Sequence, residues 1–285
     1  MARVSFAGLK RLGIALAWIV LFAVIGGGII AGVASVLPDW GGPTWFVART
    51  GVYELLGFGT ATLVVGRLLS KHSWDAMGWR RPGLGRHLAR GVGLGALMAA
   101  IAVGLAALLD SARVSMSPEW GQVPGVVLPL AFGLVCAALA EELAFRGYPL
   151  RRLAEAVGPA PAILVFAILF GLAHAKNPSA TPFSTLNVGL AAVWLSVAFF
   201  SAGGMALAWG LHFGWNAGLA LLFDAPVSGY AFHVPVVEYA PGPHTWVDGG
   251  AFGPEGGIVA TLVVIAGTAA LIWPRLRRPT ESLAA

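Results

Sequence analysis

The stretch VPGVVLPLAFGLVCAALAEELAFRG, from Val123 to Gly147, decides the fold. Its apolar run is long enough for a helix to cross about 30 Å of hydrocarbon, and it lacks the apolar-polar alternation of a half-buried strand. A chain in a bilayer must satisfy its own backbone hydrogen bonds, so the stretch predicts a spanning helix. Yet the run closes on Glu141, Glu142 and Arg146. Ionisable groups at membrane depth are costly and are retained for a task.

The rest of the chain has the same character. Of its 285 residues, 58% are hydrophobic and only 11% charged, and the mean hydropathy is +0.80, far from the composition of soluble domains. Apolar stretches of spanning length fall near Leu12–Leu37, Gly51–Ser70, Leu88–Leu109, Val123–Gly147, Ala160–Ala175, Leu186–Phe200, Met205–Phe223 and Gly257–Trp273, the fifth and sixth being short. The reading is an all-α, polytopic membrane helical bundle of about eight transmembrane helices. It forms a single integral membrane domain over residues 1–285, with no linker and no internal repeat.

Basic residues orient the bundle, because cytoplasmic flanks carry the Lys and Arg excess. With the N-terminus inside, the cytoplasmic set is Arg3, Lys10, Arg11, Arg67, Lys71, Arg80, Arg81, Arg86, Arg90, Arg146, Arg151, Arg152, Arg275, Arg277 and Arg278; only Arg49, Arg113 and Lys176 of the 18 basic residues fall outside. Both termini are then cytoplasmic. The net charge of +5 follows from this asymmetry and calls for no nucleic-acid partner; the lipid bilayer is the partner it implies. The apolar run after Lys10 and Arg11 exceeds the 7–15 residues of a signal peptide's core, so it is read as a retained first span. Arg outnumbering Lys, with abundant Ala and Gly, suggests a bacterium with a GC-rich genome and hence a bacterial cytoplasmic membrane. A single cysteine, Cys136, excludes an internal disulfide and is read as packing.

Two longer connections remain. The cytoplasmic one, Lys71 to His87, contains MGWRRP from Met77 to Pro82, and the external one, Asp224 to Gly256, is rich in Gly and Pro. His233, Glu238, His244 and Asp248 in the second match no compact metal motif, and a solvated loop is the expectation. Glu54, near the outer start of the second span, is given the structural reading of a carboxylate favoured by a helix N-terminus.

The polar residues in the spans suggest a division of roles. Glu142 and Arg146 are four apart and share a helical face, so they pair; Glu141 is turned about 100° away and is free to face a cavity as a general base. Phe170 and His174 share one face of the fifth span, and His212 and Asn216 share one face of the seventh. Depth adds a condition. At 1.5 Å per residue, His174 lies about 21 Å from the cytoplasmic side and His212 about 14 Å, so Glu141 meets them only if the fourth helix continues to about Leu153, which puts Glu141 about 18 Å deep and buries Arg146.

In this order the three motifs resemble those of the CPBP intramembrane endopeptidases, the family that includes the CAAX prenyl endopeptidases and bacterial proteins linked to bacteriocin self-immunity. The family pattern, E-E-x-x-x-R, F-x-x-x-H and H-x-x-x-N, is met by Glu141, Glu142 and Arg146, by Phe170 and His174, and by His212 and Asn216. The MGWRRP segment is also similar to one that precedes this domain in bacterial members. The resemblance implies a catalytic core over residues 123–222 and hydrolysis of a peptide bond in a membrane-associated peptide or protein. It implies that Glu141 and His174 activate a water and that His212 and Asn216 form an oxyanion hole, while Glu142, Arg146 and Phe170 support the site. No cofactor is favoured, since H-E-x-x-H is lacking; were zinc used, Glu141, His174 and His212 would supply its ligands. Two other readings stand beside this one: a non-catalytic immunity or peptide-binding membrane protein, and a small proton-coupled transporter, whose relays also use Glu and His. The sequence sets no oligomeric state.

Overall fold

A computed structural model describes residues 6–37, 45–80, 82–116, 120, 122–234 and 236–276. The chain is an all-α helical membrane bundle. Its elements are α1 (Phe6–Val36), α2 (Phe46–Ala61, continued by a π-helical stretch Thr62–Leu69), α3 (Leu84–Leu108), β1 (Ala112–Met116), α4 (Val123–Phe145), α5 (Tyr148–Val157), α6 (Pro159–His174), α7 (Pro182–Phe199), α8 (Gly204–Ala217, continued by a π-helical stretch Gly218–Leu222), β2 (Val237–Pro241), α9 (Thr245–Asp248) and α10 (Ile258–Leu276). Among the described residues, five helical segments are long and apolar enough to cross a membrane: Phe6–Val36, Phe46–Leu69, Leu84–Leu108, Val123–Val157 and Pro182–Phe199. Pro159–His174 and Ile258–Trp273 are apolar but shorter, and the sequence-based count of eight includes these and α8. Leu and Val side chains such as Val24, Leu128, Leu164 and Leu172 project outward along the helices, as lipid-facing surfaces do.

The fourth helix departs from expectation. Instead of running unbroken to Leu153, α4 stops at Phe145, Gly147 breaks the helical path, and α5 restarts at Tyr148. Pro149 explains the break. Lacking an N–H and crowding the carbonyl four residues back, a proline sits most easily in a helix's first turn, which is where Pro149 falls in α5. The N–H groups of Arg146 and Gly147 both turn back to the Glu142 carbonyl, at 2.8 and 2.9 Å. The helix α5 then lies on α1 and α6, burying Tyr148, Leu150 and Leu153 while Arg151 and Arg152 pair with Glu155.

Close backbone contacts set the helix pairs that frame the site. Gly91 and Gly95 of α3 face Gly210 and Gly214 of α8, and a Cβ at any of the four would collide with the opposing backbone. Each pair is spaced as small-x-x-x-small, the pattern that lets membrane helices approach closely. Gly51 of α2 seats in the same way on α4, where a Cβ would stand 2.8 Å from the Ala137 nitrogen. The partner helices are pinned within a turn of His212 and Glu141.

At one end of the bundle, Glu155 of α5 bonds His72 beyond α2, and Arg80 reaches the Ser201 carbonyl between α7 and α8. This end carries Lys10, Arg11, Arg67, Lys71, Arg86, Arg90, Arg151 and Arg152; Arg3, Arg81, Arg277 and Arg278 lie outside the described residues. At the other end, β1 and β2 pair antiparallel, with Val114 opposite Tyr239. The segment between α8 and α10 is only in part the solvated loop expected from its composition: His233, Glu238 and His244 are exposed, but Asp248 is not. Asp248 is fully buried, its carboxylate accepting from the Gly242 and Gly250 amides at 2.7 and 2.8 Å, so it is a structural acceptor. Burial pushes the Tyr239 phenol up, with Asp248 adding to the effect.

Candidate active site

The helices α2, α4, α6, α7, α8 and α10, together with the 224–256 segment, enclose a cavity of about 390 Å³. Glu141, His174, His212 and Asn216 all line it. Its walls are otherwise mainly apolar, including Phe58, Leu134, Phe145, Phe170, Trp194 and Trp215, the usual make-up of a site with few convergent polar groups.

Glu142 is the buried anchor. It is fully buried, and its Oε1 accepts from Arg146 Nη1 at 3.0 Å and from His212 Nδ1 at 2.9 Å. The four-residue spacing places Arg146 on its face, and the arginine, also fully buried, lies with its guanidinium carbon 4.3 Å from the centre of the Phe170 ring. The sequence-based expectation of a buried Glu142–Arg146 pair therefore matches the structure. Phe170 in turn contacts the rings of His174 at 4.5 Å, Phe145 at 5.0 Å and His212 at 6.2 Å. One aromatic ring thus fixes the guanidinium and both imidazoles.

Glu141 faces the other way, into the cavity. Its Oε2 stands 3.8 Å from the Nε2 of His174 and 3.8 Å from the Nε2 of His212, with no hydrogen-bond partner among the described residues. That distance is too long for a direct hydrogen bond. Both imidazoles are held from behind. His174 Nδ1 donates to the Phe170 carbonyl at 2.8 Å and His212 Nδ1 donates to Glu142, so each ring turns Nε2 toward Glu141. Asn216, one turn beyond His212 on the same face, is half-buried, and its amide has no hydrogen bond to any described residue.

The condition set by depth, a fourth helix unbroken to about Leu153, does not hold. Glu141 reaches both histidines although α4 ends at Phe145, because the contacts of α4 with α2 and α8, rather than an unbroken helix to Leu153, set its level. In particular, Trp209 Nε1 of α8 donates to the Val135 carbonyl of α4 at 3.2 Å.

Other polar residues enter the cavity without a sequence-based assignment. Glu255 accepts from Trp215 Nε1 at 2.9 Å and from the Ser228 amide and hydroxyl. Asn187 donates to the carbonyls of Glu255 and Gly257 and accepts from Thr261, and Asn177 donates to the Ser228 carbonyl at 3.0 Å. These bonds tie the 224–256 segment over the cavity. Glu54 is also a lining residue. It sits two turns inside α2, beyond the first turn where a helix dipole acts, which removes the reading given to it from sequence.

As a zinc site the donors are chemically suitable, two imidazoles and a carboxylate. Among the described residues, however, no three His, Cys, Asp or Glu side chains are grouped as ligands of one ion.

Residues 123–218 match the family described as type II CAAX prenyl endopeptidase, Rce1-like. The match supports a CAAX-protease-like domain over this stretch. It runs from the start of α4 to just past the end of α8 and contains Glu141, Glu142, Arg146, Phe170, His174, His212 and Asn216. The matched residues supply the polar centre of the cavity, whereas Glu54 and Glu255 come from outside them. Comparison with curated proteins gave no match.

Proposed function

We propose that the protein is an intramembrane endopeptidase that hydrolyses a peptide bond of a membrane-associated peptide or protein with a water activated by Glu141. The observation that carries this reading is the position of Glu141 Oε2, 3.8 Å from the Nε2 atoms of two histidines. A gap of that size between polar atoms is one that a bridging water fills.

The chemistry follows from which atoms already carry protons. With Nδ1–H bound to the Phe170 carbonyl, neutral His174 presents a bare Nε2, so the water donates one hydrogen there and the other to Glu141. As the water oxygen bonds to the substrate carbonyl carbon, Glu141 takes its proton. His212 has Nδ1–H on Glu142, so its Nε2 donates to the oxyanion only as an imidazolium. Glu142 and Glu141 supply the two negative charges that balance Arg146 and that imidazolium. Asn216, on the same face as His212, adds a neutral amide donor. Such preorganised donors in a water-poor cavity are a large source of rate. When the C–N bond breaks, Glu141 returns its proton to the departing amine, which leaves a carboxylate and a free amine.

The basic end of the bundle faces the cytoplasm on this reading, with both termini inside a bacterial cytoplasmic membrane. The cavity is lined from the opposite end, by the first turns of α2 and by Ser228, Tyr230 and Phe232, so substrate arrives from the non-cytoplasmic side. The test is cleavage of a membrane peptide by purified, reconstituted protein. Glu141→Ala, His174→Ala and His212→Ala should each abolish turnover while the variants remain folded, and cleavage at the normal rate by Glu141→Ala removes it as the base.

A further inference from the structure

We infer that Glu54 forms a cation-selecting subsite of the same cavity, one that takes a lysine, arginine or amine of the substrate next to the bond that is cut. The inference rests on the endopeptidase reading for its reaction, but its own basis is the placement of Glu54. Val47, Thr50, Glu54 and Phe58 form one stripe of α2, and all four line the cavity. Gly51, one turn before Glu54, is locked against Gly133 and Ala137 of α4, one turn before Glu141. The backbone seam therefore holds the two carboxylates at a fixed separation, within electrostatic reach of each other.

Unlike Glu142, Glu255 and Glu141, which stand beside Arg146, Trp215 and two histidines respectively, Glu54 has no polar partner among the described residues. Glu142 is neutralised by Arg146 behind the wall, and both oxygens of Glu255 are occupied by Trp215 and Ser228. The Glu54 carboxylate meets no hydrogen-bond donor or cation among the described residues, and the lining contains no Lys or Arg. An unpaired carboxylate in an apolar wall is costly, and at membrane depth such a group marks a substrate path. In a protein of net charge +5, the wall around Glu54 thus carries no Lys or Arg, and an acidic lining attracts ligands of the opposite sign. A cationic side chain entering past Tyr230 and Phe232 would meet Glu54 while its backbone lies toward Glu141.

The experiment uses a dansyl-labelled Leu/Ala transmembrane peptide with one lysine near its outer end and a twin with norleucine there. Each is bound to reconstituted Glu141→Gln protein and followed by energy transfer from Trp194 and Trp215. The lysine peptide should bind about tenfold more tightly, as expected of one partly shielded charge pair. Glu54→Gln should erase the preference, and Glu54→Lys should reverse it toward a glutamate-bearing twin. Equal binding of the twins with Glu54 intact, or a preference that survives Glu54→Gln, overturns the inference. Preferential binding without cleavage of any peptide by the unmodified protein would instead sink the endopeptidase reading and leave the cation subsite standing.

Discussion

His212 donates from Nδ1 to Glu142 across 2.9 Å, and the same carboxylate oxygen holds Arg146 at 3.0 Å. One buried acceptor therefore fixes both an imidazole of the cavity and the guanidinium behind it. Because Nδ1 is held this way, the Nε2 of His212 is aimed at Glu141, 3.8 Å away. The two adjacent glutamates act on opposite sides of a single ring.

The first prediction concerns the anchor. Glu142→Ala removes the counter-charge of an arginine that is fully buried, and breaking a buried pair at one partner costs about 3–5 kcal/mol. Thermal unfolding in detergent should fall sharply for Glu142→Ala. The double variant Glu142→Leu with Arg146→Met, which removes both charges, should recover much of that stability but none of the activity, because His212 loses its acceptor. Stability unchanged in the single variant would contradict the anchor role.

Glu141→Gln should behave in the opposite manner. Its Oε2 makes no hydrogen bond among the described residues, so the amide replaces it with little strain and the unfolding temperature should hold. Loss of the base should lower turnover by roughly 10²–10⁴-fold. A variant that unfolds early, or that cleaves at the original rate, is the adverse result.

Much of this centre was legible in the sequence, because a charge in an apolar helix stands out against its neighbours and its spacing gives its face. Glu141, Glu142 and Arg146 sorted themselves by the 100° turn of a helix, and the burial of Arg146 followed from its pairing. Features that depend on how helices meet were not legible. Depth arithmetic asks for a fourth helix unbroken to Leu153, whereas α4 ends at Phe145 and contacts between helices bring Glu141 to the level of His174. The same holds for the 224–256 segment, whose Gly and Pro content suggests a solvated loop although Asp248 and Glu255 use its amides to close a cap over the cavity. Glu54 reads from sequence as a residue of the helix start because the apolar run opens near Gly51, whereas the helix begins at Phe46.

Chelation addresses the metal question directly. Among the described residues no three His, Cys, Asp or Glu side chains are grouped as ligands of one ion, and in the proposed reaction Glu141 itself takes the proton of the attacking water. Turnover should survive prolonged dialysis against a strong chelator, and metal analysis of the active protein should give well below one equivalent of zinc. Activity lost on chelation and restored by stoichiometric zinc would replace the glutamate-activated water with a metal-bound one.

The last prediction follows from the glycine seam between α3 and α8. Gly210 and Gly214 flank His212 on the chain, and a Cβ at Gly214 would collide with the Val92 carbonyl. The contact is backbone on backbone, so no rotamer change relieves it and the helices must separate. Gly214→Leu should therefore displace α8 from α3 and carry His212 away from both Glu142 and Glu141, although no group of the polar centre has been changed. A milder Gly214→Ala should give a graded loss, with turnover falling before the protein unfolds, since the hydrogen bond at 2.9 Å tolerates only a few tenths of an ångström before weakening. As a control, Gly104→Ala, on α3 with open space around it, should leave turnover and unfolding temperature unchanged. Equal behaviour of the two alanine variants would mean that the seam does not position His212.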